Sequence, residues 1–386
     1  MKIKSIRCVR VHGILDEPIG IGEDTWLSAT EGSVDPFKEW RPDGHRNLRL
    51  SFLEILTDDG ITGTSRSLSS EQGRMICGNL APQLIGRDPA DVEDIWDELR
   101  EFVVTKKELG NYHLLPVDMA LWDIRGKAAG KPVYRLLNGE GRNRLPVYAS
   151  TVGCSLSPRK LRDRATQLKA EGYPAQKWFF KFGPDAGESG QRQNVRLVRE
   201  LRQVLGEGYP IMLDATFGWS EDYAMEMARA IVDYDPYWLE DPVKQKRWDE
   251  LKRIKESTRV PIAVGDGVGC CDTLRALLDK VPVDVYQPDE GSLGGITPMM
   301  RAAEVAKEYG IPFVPHCGDM ATLHVLAAQD AKLCPYFEFL VLWYKVGQWF
   351  YKKRYMPKKG AIEMPKTPGL GIELDDAKTT RREKIL

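Results

Sequence analysis

The stretch from residue 211 to 241, IMLDATFGWSEDYAMEMARAIVDYDPYWLED, predicts a strand, a helix and a second strand in succession. Its two apolar runs have the length of buried strands, and they end at Asp214 and Glu240. A buried carboxylate is costly unless it is paired with a cation or binds a metal. The function of Glu240 therefore depends on whether other strands of the chain end in the same way.

The alternation of strand and helix continues from about residue 144 to residue 340. Short β-rich runs and amphipathic helical runs follow one another with a repeat of roughly 25 residues, which predicts a parallel sheet. Eight such strands favour a closed barrel of the α/β class. An open doubly wound sheet is the alternative, but YASTVGCSLSP, after the first of these strands, does not fit a glycine-rich phosphate turn.

The residues on either side of this region predict a second unit. FLEILTDDGITGTS reads as two strands joined around Asp59-Gly60, and residues 71–140 read mainly as helices. The last part of the chain returns to short strand and turn signals. We therefore expect a capping domain over residues 1–140, a barrel over 141–345, and a segment over 346–386 that returns to the cap.

Composition excludes several classes of protein. The chain has 386 residues and a formal net charge of -1, without long blocks of like charge, so neither nucleic acid nor an anionic membrane is expected as a partner. No apolar run approaches the ~18 residues of a membrane span, and the N-terminus has no signal-peptide core. Seven scattered cysteines without a CxxC pair indicate a reducing, cytoplasmic setting.

Seven consecutive predicted strands end in ionisable residues, and the ends of parallel barrel strands converge on one mouth. These residues are Lys181, Asp214, Glu240, Asp266, Asp289, His316 and Glu338. Asp214, Glu240 and Asp266 would repel one another strongly unless a cation lay between them. A set of oxygen ligands suits Mg²⁺ or Mn²⁺. The alternative is that these acids cap the helices that follow.

Lys181 and His316 lie across the predicted mouth from each other. A lysine near a divalent cation and away from bulk water has a lowered pKa and can act as a base. Asp289, one strand from His316, is placed to orient the imidazole and raise its basicity. These residues predict acid–base catalysis.

The chain resembles the enolase superfamily, in its mandelate racemase-like subgroup, over nearly its whole length. The motifs that carry the resemblance are ALWDIRGKAAGKPVYRLLNG, LDATFGW, WLEDP, VYQPDEGSLGGIT, VPHCGDM and PGLGIELD. The resemblance implies a modified TIM barrel, (β/α)₇β, with an α+β cap formed by the N-terminal region and the C-terminal tail. It also implies one Mg²⁺ per subunit, a small-molecule carboxylate substrate and abstraction of the proton α to the carboxylate. We further expect a homo-oligomer.

The same resemblance assigns roles to the residues at the strand ends. Asp214, Glu240 and Asp266 would hold Mg²⁺, Lys181 would serve one face of the substrate and the Asp289–His316 dyad the other. A protonated Glu338 would donate a hydrogen bond to the enediolate oxygen. Phe179 stands where the family usually has a first lysine, so His316 is favoured as the base. Asp266 replaces a more usual glutamate.

The resemblance implies that residues 16–49 form a lid over the substrate, and the polar composition of this stretch predicts a polar substrate. Its candidate substrate-binding residues are Trp26, Arg41, His45 and Arg46. We therefore favour dehydration of an acid sugar, an aldonate or aldarate, to a 2-keto-3-deoxy acid. Racemisation or epimerisation of a 2-hydroxy acid is the alternative, and a non-catalytic barrel with a binding or assembly role is the alternative of another class.

Overall fold

The computed structural model describes residues 1–17, residue 25 and residues 47–386. An antiparallel sheet at the N-terminal end has the strand order β12-β1-β2-β3. Its strands are β1 (Ile3–Ile14), β2 (Asn47–Thr57), β3 (Thr62–Leu68) and β12 (Arg381–Lys384). The turn between β2 and β3 contains Gly60 with φ 91°, which a glycine adopts without strain. Because β12 comes from the C-terminus, the tail completes the cap, as expected.

The second sheet consists of parallel strands in the order β10-β4-β5-β6-β7-β8-β9, with β11 antiparallel to β4. These strands are β4 (Arg144–Ser150), β5 (Gln176–Phe179), β6 (Ile211–Asp214), β7 (Trp238–Glu240), β8 (Ile262–Val264), β9 (Val285–Tyr286), β10 (Phe337–Leu340) and β11 (Ala361–Glu363). After β9, parallel bridges from Tyr286 to Phe313 and from Asp289 to His316 continue the sheet. The modified barrel with an α+β cap is confirmed.

Helices cover the outside of the parallel sheet and one face of the cap. They are α1 (Ser70–Met75), α2 (Ala81–Leu84), α3 (Val92–Val104), α4 (Asn111–Ala128), α5 (Val133–Asn138), α6 (Pro158–Ala170), α7 (Gly187–Leu205), α8 (Glu221–Ile231), α9 (Trp248–Ser257), α10 (Cys271–Lys280), α11 (Glu290–Leu293), α12 (Ile296–Glu308), α13 (Met320–Ala328) and α14 (Tyr344–Gly347). A π-helical turn (Ile76–Leu80) joins α1 to α2, and 3₁₀ turns lie at Pro184–Ala186, Val232–Tyr234 and Asp376–Lys378. Within the described residues, no helix is long and apolar enough to cross a membrane.

The interior of the barrel is a separate apolar cluster with members from strands around the ring. It consists of Tyr148, Ala175, Met212, Trp238, Ala263, Val285 and Val314, with Tyr336 packed against it. Because side chains alternate along a strand, the residues two positions further along also point into the barrel. This register places the functional side chains directly above an apolar floor.

Several of the expected strand ends differ in the structure. Asp214 and Glu240 close β6 and β7, but β5 ends two residues before Lys181 and β8 ends two residues before Asp266. Glu338 lies inside β10. β8 ends early where Gly265 and Gly267 adopt positive φ, and sharp turns at Thr216, Asp241 and Cys317 follow β6, β7 and the His316 bridge.

Candidate active site

The inward register above the apolar floor collects most of the ionisable residues that the sequence predicts. Asp214, Glu240, His316 and Glu338 stand two residues beyond Met212, Trp238, Val314 and Tyr336. Asp214 and Glu240 are direct neighbours in the ladder between β6 and β7. Their side chains are almost fully buried, as is that of Glu338. The barrel mouth therefore holds a buried carboxylate cluster.

Lys177 is a member of this cluster that the sequence interpretation missed. Its ammonium nitrogen lies 2.7 Å from Glu240 Oε1, 2.8 Å from Glu338 Oε1 and 3.4 Å from Asp214 Oδ2. The side chain is fully buried. The resemblance drew attention to Phe179 and Lys181, whereas Lys177 is two residues beyond the floor residue Ala175. Counting two residues from the floor along β5 would have found it.

The charges of this cluster control one another. Burial alone lowers the pKa of Lys177, but Glu240 and Glu338 outweigh burial and hold it well above its usual range. Burial and the neighbouring Asp214 raise the pKa of Glu240 to about 8, against the effect of Lys177. Glu240 Oε2 also accepts a hydrogen bond of 3.0 Å from the Trp238 indole. A cation at Asp214 and Glu240 would relieve their repulsion.

Glu338 differs from the protonated carboxyl that the resemblance implied. Burial alone would raise its pKa, but Lys177 and His316 outweigh burial and hold the pKa well below its usual range. Its Oε2 accepts a hydrogen bond of 2.8 Å from the Cys317 backbone N–H. Glu338 thus accepts a hydrogen bond through Oε2, and the two cationic neighbours favour its ionised form.

His316 faces Glu338 and Cys317. Its Nδ1 lies 3.3 Å from Glu338 Oε2 and 3.8 Å from Glu240 Oε1, and its Nε2 lies 2.9 Å from Cys317 Sγ. Burial alone lowers the pKa of His316, but Cys317 and Glu338 outweigh it and raise the pKa well above 6.5. His316 thus joins the carboxylate cluster, as the sequence predicts for a barrel-mouth base.

Asp289 and His316 are neighbours through their backbones. They form a parallel bridge, and His316 N–H donates to the Pro288 carbonyl at 2.8 Å. The Asp289 carboxylate accepts from Ser292 N–H at 2.8 Å, where it caps α11. The structure therefore brings the two dyad residues together, but it directs the Asp289 carboxylate to a helix N-terminus.

The remaining expected residues lie at the edge of the cluster. Asp266 is half-buried; burial raises its pKa, and the charges of His316, Asp289 and Glu240 act on it as well. Gly265 precedes it with φ 153°, and a Cβ there would lie 2.6 Å from the Gln287 backbone, so this turn requires glycine. Lys181 is half-buried, with its ammonium group 5.8 Å from the Phe182 ring centroid.

A second buried ion cluster joins the cap to the barrel. Arg66 of β3 pairs with Glu290, and its Nε lies 2.9 Å from Asp319 Oδ2. Glu290 Oε2 also accepts from Thr322 Oγ1 at 2.7 Å and, at 3.3 Å, from Asp319 N–H. Because Glu290 follows Asp289 and Asp319 lies three residues after His316, Arg66 connects the two loops that carry the expected dyad.

A cavity of about 1200 Å³ lies beside this cluster, against the cap. Asp289 and Arg66 line it, and its described lining contains five arginines against two acidic residues. The arginines are Arg10, Arg49, Arg66, Arg74 and Arg381. This lining is electrostatically suited to anions. Trp26, Arg41, His45 and Arg46, the expected lid residues, lie outside the described residues.

The donor set suits Mg²⁺. Asp214, Glu240 and Asp266 supply only carboxylate oxygens, the ligands that Mg²⁺ prefers. Asp214 Oδ1 already accepts a hydrogen bond of 2.8 Å from Thr216 N–H, which fixes its orientation. Lys177 alone does not balance the carboxylates that it contacts. These three residues would hold the ion, although their ligand atoms do not all lie within 4.8 Å of one another in the structure, so binding would have to draw them together.

A capped parallel barrel with buried acids, a lysine and a histidine at its mouth defines the class of protein. Two family models match the chain: the mandelate racemase / muconate lactonizing enzyme N-terminal domain over residues 42–138, and the enolase C-terminal domain-like model over residues 160–378. The chain belongs to this mandelate racemase-like family of the enolase superfamily.

Known relatives align along most of the chain. An L-rhamnonate dehydratase of Saccharopolyspora erythraea is 28% identical and covers 99% of both chains. A D-xylonate dehydratase of Haloferax volcanii is 27% identical over 85% of this chain and 84% of its own. A mandelate racemase/muconate lactonizing protein of Paracoccus denitrificans, solved in complex with magnesium, has a TM-score of 0.80 and 25% identity, covering 100% of this chain and 99% of its own.

Proposed function

We propose that this protein is a Mg²⁺-dependent hydro-lyase that dehydrates an acid sugar, an aldonate or aldarate, to a 2-keto-3-deoxy acid. The observation that carries the proposal is the position of His316 in the carboxylate cluster, 3.8 Å from Glu240. The relatives named as L-rhamnonate and D-xylonate dehydratases support the substrate class. The described lining of the arginine-rich cavity includes Asp289 but not His316, Asp214, Glu240 or Asp266, so this cavity would take the far end of an anionic substrate.

Asp214, Glu240 and Asp266 would hold one Mg²⁺ per chain. When bound, Mg²⁺ supplies positive charge that stabilises the negative charge developing on the substrate and lowers the pKa of the nearby His316. Lys177 keeps Glu240 and Glu338 in place from below through its contacts of 2.7 and 2.8 Å. The chain thus supplies both the cation ligands and a fixed internal counter-charge.

His316 is the proposed base and then the proposed acid. Its imidazole takes the α-proton as the α-carbon–hydrogen bond breaks. The imidazolium next gives a proton to the β-hydroxyl, which leaves as water, and the resulting enol tautomerises to the 2-keto acid. Glu338, 3.3 Å from Nδ1, stabilises the imidazolium between the two steps.

Lys181 and Asp289 have supporting roles in this proposal. Lys181 faces the substrate from the other side of the mouth, where a second base would be needed for epimerisation. Asp289 holds the backbone of the His316 strand through the bridge between the two residues. The lid over residues 16–49 with Trp26, Arg41, His45 and Arg46, the homo-oligomer, the cytoplasmic location and the domain bounds remain predictions.

A screen of the purified protein with Mg²⁺ against a library of acid sugars tests the proposal, with 2-keto acid formation as the readout. We expect at least one aldonate or aldarate to be dehydrated. An epimer that carries solvent deuterium at the α-carbon, without 2-keto acid, would replace dehydration by the racemase alternative. Absence of α-proton exchange on every acid sugar, with Mg²⁺ bound, would favour the non-catalytic barrel.

A further inference from the structure

Beside the oxygen ligands lies a group of donor atoms of a different chemical kind. His316, Cys317 and Glu338 each offer one ligand atom, and these atoms lie within 4.8 Å of one another. Across residues 1–17, 25 and 47–386, no other group of three or more His, Cys, Asp or Glu side chains meets this spacing. Nitrogen, sulfur and oxygen donors together suit zinc-type cations, whereas Mg²⁺ prefers oxygen alone.

The backbone holds the cysteine in this group. Cys317 has φ 49°, in the left-handed region that few non-glycine residues adopt. Its N–H donates to Glu338 Oε2 at 2.8 Å, and its Sγ lies 2.9 Å from His316 Nε2. Cys317 therefore places both a backbone donor and a thiol against the proposed catalytic pair.

We propose that His316, Cys317 and Glu338 form a binding site for a thiophilic divalent cation such as Zn²⁺, and that its occupancy blocks catalysis. Ligand atoms around a tetrahedral zinc ion lie about 3.5 Å apart, so small side-chain rotations suffice. His316 Nδ1 is buried 3.3 Å from Glu338 Oε2 and Nε2 lies against Cys317 Sγ, while the His316 side chain as a whole is 25% exposed. The imidazole is therefore partly open to an ion that enters through the mouth.

Binding changes the bonds of this group in a defined way. The Cys317 thiol releases its proton to solvent as the metal–sulfur bond forms, and no oxidation or reduction takes place. Glu338 can offer Oε2 while Oε1 stays with Lys177. A metal on the imidazole uses the electron pair that would accept the α-proton. This loss of activity rests on the proposed function, whereas cation binding does not.

A titration with Cd²⁺ in excess Mg²⁺ tests binding directly, because cadmium–thiolate bonds absorb in the ultraviolet. Wild type should show a saturable cadmium–thiolate absorption band. Cys317→Ser should lose this band or bind Cd²⁺ at least about tenfold more weakly. Cys271→Ser is the matched control, a half-exposed cysteine at the start of α10, and it should keep the band. The same band and midpoint in wild type and Cys317→Ser would overturn the site.

Zn²⁺ inhibition is measured on any acid sugar that the protein dehydrates. Wild type should be inhibited reversibly, with activity restored by chelation and renewed Mg²⁺, and Cys317→Ser should need at least about tenfold more Zn²⁺. Equal inhibition of both would contradict the blocking role. If no acid sugar is converted, the proposed function fails while the Cd²⁺ titration still decides the metal site.

Discussion

Lys177 in the barrel and Arg66 at the cap are both cations among buried carboxylates, but their charge balance differs. Lys177 contacts the three carboxylates of Asp214, Glu240 and Glu338, and the His316 imidazole lies 3.3 Å from Glu338 as a second group that can carry positive charge. Burial and Asp214 raise the pKa of Glu240 to about 8, so a proton on Glu240 can take up part of the negative charge where no cation is bound.

Arg66 contacts two carboxylates, so its cluster has a remainder of one negative charge. Burial and Asp319 raise the pKa of Glu290 to about 8 despite Arg66, and a single proton on Glu290 neutralises that remainder. The comparison teaches that a proton on Glu290 completes the cap cluster, whereas in the barrel cluster a divalent cation at Asp214, Glu240 and Asp266 would take the place of the proton on Glu240. The cap cluster is therefore a structural joint, and the barrel cluster is a chemical site.

Removal of divalent cations should have the largest effect, and only on the barrel cluster. Treatment with EDTA should abolish activity, and renewed Mg²⁺ should restore it. Asp214→Asn, Glu240→Gln and Asp266→Asn should each weaken Mg²⁺ binding in calorimetry and remove activity, with an unchanged circular dichroism spectrum. Full activity after rigorous chelation would contradict the metal assignment.

Lys177→Met should destabilise the metal-free protein by about 3–5 kcal/mol, because it leaves buried carboxylates without their cation. Saturating Mg²⁺ should recover part of this loss, since the ion neutralises the same groups. Urea unfolding with and without Mg²⁺ measures both effects. Lys255→Met, which breaks a partly exposed pair with Asp284, is the control and should cost about 1 kcal/mol or less.

His316→Asn should lower both α-proton exchange and 2-keto acid formation by about 10²-fold or more. Lys181→Ala should reduce exchange less, and Asp289→Asn should give an intermediate loss because it disturbs the strand beside His316. NMR of one converted substrate in D₂O measures exchange for all three variants. Wild-type exchange in His316→Asn together with no exchange in Lys181→Ala would make Lys181 the base.

Arg66→Met should destabilise the protein by roughly 2–3 kcal/mol, less than a fully buried pair because the Arg66 side chain is 28% exposed. Mg²⁺ should not relieve this loss, in contrast to Lys177→Met. Adding Asp319→Asn should recover part of the stability by removing the carboxylate that Arg66→Met leaves without its partner. Arg87→Met, in a surface pair with Glu98, is the control and should cost under about 1 kcal/mol. Equal relief by Mg²⁺ in both clusters would break the comparison.

The pH dependence of stability should show the proton on Glu290. Because the pKa of Glu290 is about 8 in the folded state and about 4.3 in the unfolded state, its contribution is fully present below pH 4.3 and is lost as pH rises through 8. Its share of the slope is at most about 1.4 kcal/mol per pH unit. Denaturant unfolding of wild type and Glu290→Gln from pH 5 to 8 measures this slope. The same dependence of the unfolding free energy on pH in both proteins would show that Glu290 does not carry the proton.

The barrel and its acids could be predicted because they follow from periodicity and strand spacing. The apolar runs before Asp214 and Glu240 end at those residues in the structure as well. Lys177 was missed because the apolar pattern KWFFKF does not show where β5 ends. Only the inward register, set by pairing with β6, places Lys177 among the carboxylates.

Side-chain directions at the mouth could not be predicted from the sequence. The resemblance paired Asp289 with His316, but the Asp289 carboxylate caps α11 and the imidazole lies against Glu338. The charge of Glu338 likewise depends on Lys177, a neighbour that strand-end spacing did not reveal. Local hydrogen bonds decide these orientations, and they produce no periodic pattern in the amino-acid sequence.

The apolar floor of the barrel closes the site on the side opposite the mouth. Tyr148 and Trp238 meet edge to face at 5.8 Å, and both are fully buried, as is Met212. Among the residues that the structure describes, this floor therefore leaves solvent no passage between these strands from below. The ion, the proton and the product must all enter or leave through the mouth of the barrel. Substrate bound at the mouth would cover the ion. The ion should therefore dissociate more slowly when substrate is bound than in the substrate-free protein.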